Sequence, residues 1–141
     1  MTNNDNLHKA KSAKNDEFYT QYSDIEKEIS NYKEQLKDQW VYCPCDDWRK
    51  SNFVKYFKEH FAELGLRKLT STHINLDGSP SERYDYDGEN EIVIPLTGNG
   101  DFRSDECTRI KDECDIVITN PPFSLFREFV NWLKDDCEKN Q

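Results

Sequence analysis

The sequence contains no run of apolar residues near the roughly 18 that a membrane span needs. Its first residues, Met1-Thr2-Asn3-Asn4-Asp5-Asn6, hold no apolar targeting core. Both absences point to a cytoplasmic protein with no membrane partner. Glycine is scarce, five in 141 residues, and the loop at 41–47 has none. That loop therefore lacks the glycines by which dinucleotide-type loops bring backbone close to a ligand. The five cysteines (43, 45, 107, 114 and 137) are an odd number without a secretion signal, so reduced thiols are expected. Cys43-Pro44-Cys45 is too tight for a zinc knuckle, no histidine pair stands nearby, and no metal site is expected. Positive charge is also short. The net charge is −9, and residues 71–141 carry the whole imbalance, with 7 Lys/Arg against 16 Asp/Glu. An acidic surface repels phosphate, so this chain alone is a weak partner for duplex DNA.

What is present suits one domain with an aromatic-rich core: eight Phe, seven Tyr and three Trp supply bulk that 35% apolar residues alone would not. Residues 1–15 are polar and read as a flexible arm, leaving 16–141 as the folded part. Ile25, Ile29, Tyr32 and Leu36 predict a helix over 24–37. Trp40 to Cys43 reads as a buried strand. Ser51 or Asn52 then caps a helix with Phe53, Phe57, Phe61 and Leu64 on one face, ended by Gly65. Leu69 to Leu76 reads as a second strand, and 77–90 as a loop or hairpin excursion. Glu91 to Leu96 reads as a strand whose Pro95 places it at an edge. Arg103 to Glu113 is weakly helical. Asp115 to Thr119 is a short parallel-sheet strand, followed by a helix with Leu125, Phe126, Phe129, Val130 and Leu133 on its apolar face. Strands alternating with helices predict an α/β fold with a parallel sheet.

In such sheets, ligands sit beyond the carboxyl ends of the strands. The run Asn120-Pro121-Pro122-Phe123 falls there. An exocyclic amine on a base is a poor nucleophile, because its lone pair is delocalised into the ring. Accepting hydrogen bonds from both of its N–H groups favours the tetrahedral nitrogen of a transition state. The Asn120 side-chain oxygen can accept one and the Pro121 carbonyl the other, with Pro121 and Pro122 restricting the backbone. Phe123 can stack on a base that has left the duplex. Gly100-Asp101-Phe102 offers a carboxylate for a second amino group and a ring to pack on it, although such a triplet is also a common turn. Cys45 and Asp46 follow the first strand, where Cys43 and Cys45 can equally be core residues. The hydroxyls of Tyr19 and Thr20, within Asp16 to Gln21, can close over a ligand or simply open a helix.

In order along the chain, these pieces resemble the DNA adenine-N6 methyltransferases, most closely the EcoRI-type modification methylases. The likeness is carried by Leu7 to Ala10, Asp16 to Tyr22, Val41 to Cys43 with Cys45 to Asp47, Ser51 to Phe53 with Lys55 to Phe57, Gly100 to Ser104, and Asp115 to Phe126. It is weakest over 70–97. The resemblance implies a partial class I S-adenosylmethionine-dependent methyltransferase, a Rossmann-like parallel sheet with flanking helices. S-adenosylmethionine would be the cofactor. Phe18, Tyr19 and Thr20, Cys45 and Asp46, and Asp101 and Phe102 match its binding motifs, and Asn120, Pro121, Pro122 and Phe123 match the catalytic loop. The acidic ribose contact has two candidates, Asn75 and Asp77.

Members of that family are about twice this long. The expectation is therefore a partial chain, inactive alone, that lacks the region recognising DNA. Self-association or pairing with a complementing C-terminal half is expected of its uncovered surfaces. Two other readings fit parts of the sequence. An acidic interaction protein would mimic DNA charge or pair with a full-length methylase. A protein-glutamine or RNA methyltransferase would also carry Asn-Pro-Pro-aromatic. Phe at 123 and the whole-chain likeness favour the DNA enzyme.

Overall fold

The structure is a computed structural model that describes residues 20–139, with side chains through Lys134. Its centre is β1 (Trp40–Cys43), whose Val41, Tyr42 and Cys43 are fully buried. β2 (Lys68–Thr72) pairs with it in parallel on one side, and β5 (Ile116–Val117) in parallel on the other. Beyond β2 lie β3 (Glu82–Tyr86) and β4 (Glu91–Pro95), each antiparallel to its neighbour. The strand order is β4-β3-β2-β1-β5. Of the four strands read from the sequence, three are mutually parallel; the fourth, β4, forms an antiparallel hairpin with β3, which arises within the 77–90 segment, and the sheet is mixed.

Alternation along β1 divides the core. Val41 and Cys43 face a cluster with Leu69, Tyr84, Phe57 and Val54, while Tyr42 faces Phe102, Ile110, Phe129 and Trp132. The first face is covered by α1 (Tyr22–Ile29), through Ile25 and Ile29, and by α3 (Asn52–Glu59). A 3-10 turn at Ser30–Tyr32 separates α1 from the short α2 (Lys33–Leu36). That turn shifts the helical phase. Leu36 remains buried, but Tyr32, expected on the same face, is 46% exposed. Ser51 caps α3 by accepting from the Val54 N–H at 3.2 Å. His60 interrupts the helix, α4 (Phe61–Leu64) continues it, and Gly65 ends it at φ 69.

The opposite face is covered by α5 (Asp105–Glu113) and α6 (Phe126–Lys139). Buried Lys111 donates to the Trp132 carbonyl at 2.7 Å and fastens the two helices together. Phe129 and Trp132 are the buried anchors of α6, and Phe126, expected in the apolar face, is 54% exposed. β3 escapes sequence reading because Glu82, Arg83 and Asp85 give it the look of a loop. In the fold, the nearly buried Asp85 accepts from Thr70 Oγ1 at 2.5 Å and from Arg83 Nε at 2.9 Å, which offsets its desolvation.

Gly100 packs the loop before α5 against the loop after β2. It sits at φ 85, and a Cβ there would stand 1.9 Å from the His73 carbonyl oxygen. Both the dihedral and the backbone approach require glycine. Gly100→Ala is expected to lower unfolding stability by at least about 2 kcal/mol, read from urea melts. A variant as stable as the parent would show that the two loops are not locked together.

Candidate functional site

β1 is reached from β2 on one side and β5 on the other. The loops leaving the carboxyl ends of β1 and β5 therefore diverge, and a crevice opens between them. A cleft of about 620 Å³ lies there, within the roughly 300–1,000 Å³ usual for small-molecule sites. Its walls are the loop after β1 (Pro44 to Asp47), the loop after β2 (His73 to Asp77), Gly100 to Phe102, and Asn120, Pro122 and Leu125.

Asp46 holds these walls together. It is only 3% exposed. Its Oδ1 accepts from Ser51 Oγ at 2.7 Å. Its Oδ2 accepts a short hydrogen bond from Thr119 Oγ1 and one from the Asn120 backbone N–H at 3.2 Å. Thr119 Oγ1 in turn accepts from the Cys45 N–H at 2.9 Å, and the Asp46 N–H donates to the Thr72 carbonyl at 3.0 Å. Asp46 thus joins the exit of β1 to the N-cap of α3 and the start of the Asn-Pro-Pro-Phe loop through its carboxylate, and to the end of β2 through its N–H. Burial pushes its carboxyl above the ordinary range, and the bonds from Thr119, Ser51 and Asn120 oppose that shift.

The other walls are stitched in the same manner. The Asn75 N–H donates to the Asn99 carbonyl at 2.7 Å, and Ser81 donates through N–H to Gly98 and through Oγ to His73. Asp101 is gripped by Arg103, whose Nε and Nη2 donate at 3.0 and 2.8 Å, and this holds its carboxyl below the usual range.

The residues anticipated for the site separate into groups. Cys45, Asp46, Asp101, Phe102, Asn120 and Pro122 all border the cleft. Phe102 is also a core residue, packed edge-on against Phe129 and Trp132. Burial raises the Cys45 thiol pKa well above its ordinary value, so it is not a nucleophile near neutral pH. Phe123 stands 61% exposed, and Pro121 is half-buried beside it. Thr20 is away from the cleft walls, where its carbonyl accepts from Asn52 Nδ2 at 2.9 Å. Phe18 and Tyr19 lie outside the described residues. Of the ribose candidates, Asn75 donates into its own turn at Ser79 and Pro80, and Asp77 accepts from Ser79. Sequence reading missed His73, Thr119 and Leu125. His73 was hidden by extending β2 to 76, when the strand ends at Thr72.

A mixed α/β sheet with this crevice, and an Asn-Pro-Pro-Phe loop at the end of the strand beside β1, has the Rossmann-like architecture of the methyltransferases. Residues 6–139 match the family described as adenine-specific methyltransferase EcoRI, and the chain belongs to that family. It is 48% identical to Type II methyltransferase M.EcoRI of Escherichia coli over 90% of its length. It is 44% identical to Type II methyltransferase M.MpnI of Mycoplasma pneumoniae over 92%, and 40% identical to M.MgeORF184P of Mycoplasma genitalium over 90%. The chain spans only 40 to 44% of the length of these relatives. No solved structure matches it.

Because the folded state holds the Asp46 proton more tightly than the unfolded chain, stability falls as pH rises from the ordinary carboxylate value through the raised one, and is level above it. Asp46→Asn removes that titration. Relative to this variant, the parent should lose stability across that window in urea melts at stepped pH; a gain would reverse the sign of the shift. Asp46→Ala leaves the Ser51, Thr119 and Asn120 donors unpaired and should cost about 2–4 kcal/mol.

Proposed function

We propose that this chain is the N-terminal, catalytic portion of an S-adenosylmethionine-dependent DNA adenine-N6 methyltransferase. The observation that carries the reading is Asn120, whose backbone N–H is held by buried Asp46 at the mouth of the switch-point cleft. The relatives' names, Type II methyltransferases, support it.

The cleft fits the cofactor in size and in chemistry. A nucleoside with an amino-acid arm needs apolar walls beside polar anchors. Ile74, Phe102 and Leu125 supply the first, and Asp47, His73 and Asp101 the second. Cys45 and Asp46 would present the β1 loop to the amino-acid end, and Asp101 would face the adenine amine. When bound, the cofactor supplies an electrophilic methyl group on a sulfonium.

The chain's own residues prepare the acceptor amine. Asn120 Oδ1 accepts one N–H of the target amine and the Pro121 carbonyl accepts the other, which draws the nitrogen lone pair out of the ring. Pro122, at φ −65 and ψ 134, fixes the exit of the loop. Phe123 is exposed enough to take the face of an extruded base, for which exposed aromatic rings are the usual platform. DNA itself would be held by basic surface outside this chain, since residues 71–141 are strongly acidic. A complementing C-terminal portion is thus the natural partner.

Calorimetry with S-adenosylmethionine, followed by methyl transfer to unmethylated DNA, tests this reading. The chain should bind cofactor, transfer nothing alone, and transfer when the C-terminal portion of M.EcoRI is supplied. Asn120→Ala should cut the rescued rate by about 10²–10³ and leave cofactor affinity nearly unchanged. No cofactor binding at millimolar concentration would sink the proposal.

A further inference from the structure

We propose that the free edge of β4 is a dimer surface, on which a second copy of this chain adds its own β4 antiparallel across a two-fold axis at Val93. The inference is independent of the cofactor reading. β4 ends the order β4-β3-β2-β1-β5, so one of its sides pairs with β3 and the other with no strand among the described residues. All five of its residues are exposed, and three are large and apolar: Ile92 (54%), Val93 (42%) and Ile94 (44%). Edge strands are normally guarded by a lysine, a bulge or a proline. This one has no lysine, runs through five consecutive pairs with β3 without a bulge, and carries its proline only at the last position.

The ladder fixes which backbone groups face outward. The Leu96 N–H donates to the Ser81 carbonyl at 2.9 Å, and the Asp87 N–H donates to the Asn90 carbonyl at 3.3 Å. Along an antiparallel pair, residues bonded to the neighbour alternate with residues that turn their groups away. Asn90, Ile92, Ile94 and Leu96 therefore serve β3. Glu91, Val93 and Pro95 turn outward, and Pro95 offers a carbonyl but no N–H.

That spacing is its own complement. With Val93 opposite Val93 of the second copy, the two residues exchange both N–H···O=C bonds. Each Glu91 N–H meets a Pro95 carbonyl, and the missing proline donor faces only a Glu91 carbonyl at the outer end of the pair. On one face, Ile92 of each copy lies opposite Ile94 of the other, in the closer, non-hydrogen-bonded positions. Moving the axis to Ile92 would set each Ile94 against Asn90. Moving it to Ile94 would leave both Val93 carbonyls facing proline.

Charge permits the match. The Glu91 carboxylate accepts from the Tyr84 hydroxyl at 2.6 Å and pairs with Lys58, and in this register it stands opposite proline rather than a second carboxylate. An unrelated strand would have to reproduce two branched apolar residues flanking one residue that both donates and accepts. A second copy does so by symmetry.

The test is sedimentation velocity of the full chain over a concentration series, beside Val93→Pro, Ile92→Lys, Ile94→Glu and an equimolar mixture of the last two. The parent should form a reversible dimer. Val93→Pro removes a donor that the single chain does not use, so its thermal melt should stay near the parent's while the dimer dissociation constant rises about tenfold to a hundredfold. Ile92→Lys and Ile94→Glu should each weaken the dimer similarly. Mixed, they should recover it, because this register sets the new lysine of one chain against the new glutamate of the other. If Val93→Pro proves unfolded, the isoleucine variants decide the matter. A parent that stays monomeric at millimolar concentration overturns the proposal, as does a dimer that the folded variants leave unchanged. A mixture no tighter than its components overturns the Val93 register and the proposal with it.

Discussion

The carboxylate of Asp46 accepts hydrogen bonds from Ser51, at the start of α3, and from Thr119 and Asn120, at the start of the loop after β5. Removing a carboxylate from water costs several kcal/mol, and each hydrogen bond to a charged group returns about 1.5–3. Burial is the largest influence on its raised pKa, so the bonds do not fully offset the desolvation. The fold tolerates that residual cost because the same group orders the loops of the candidate site. If Asp46 let go, the β1 exit and the Asn120 loop would be joined mainly by the Thr119 hydroxyl and the Cys45 N–H.

That dependence follows from the sheet. β5 has only Ile116 and Val117 paired with β1, plus the Ile118 N–H donating to the Tyr42 carbonyl at 3.0 Å. So short a strand cannot position the loop after it through ladder bonds alone. Two further supports flank it. Before the strand, Asp115 accepts from the Trp40 N–H and from Arg67, fixing where the strand begins. After the loop, Phe129, Trp132 and the Lys111 contact fix where α6 lies. The Asn-Pro-Pro-Phe segment is thus suspended between anchored ends, with two prolines limiting its own freedom.

The parts of this arrangement that the sequence made legible are those carried by local pattern. Trp40 to Cys43 has the apolar β-rich run of a buried strand, Ser51 the chemistry of a cap, and Gly65 the freedom to end a helix. The Asn-Pro-Pro-Phe run was legible as a strand-to-helix loop because its two prolines cannot continue a paired strand. The contacts that required the fold are long-range and polar. Asp85 makes a charged segment into a strand by meeting Thr70, fifteen residues earlier. Thr119 and Asp46 are 73 residues apart, and neither announces the other. His73 was obscured for a different reason. The alternation of Leu69 to Leu76 continues past the last paired residue, so periodicity alone placed a cleft residue inside a strand.

The division of charge bears on how such a site would be used. The described cleft draws its cationic rim from Arg49 and Lys50, on the loop after β1. Arg49 pairs with Glu82 and lies near Asp47, so its charge is largely answered within the chain. The opposite side of the cleft is built from the acidic second half. A polyanion approaching Asn120 therefore meets little net attraction here, whereas a single neutral base meets the exposed ring of Phe123. The chain has features suited to a base and few suited to a phosphate backbone. An acidic surface of this kind repels phosphate, so on the proposed reading the grip on a single base is separable from the capture of a polyanion.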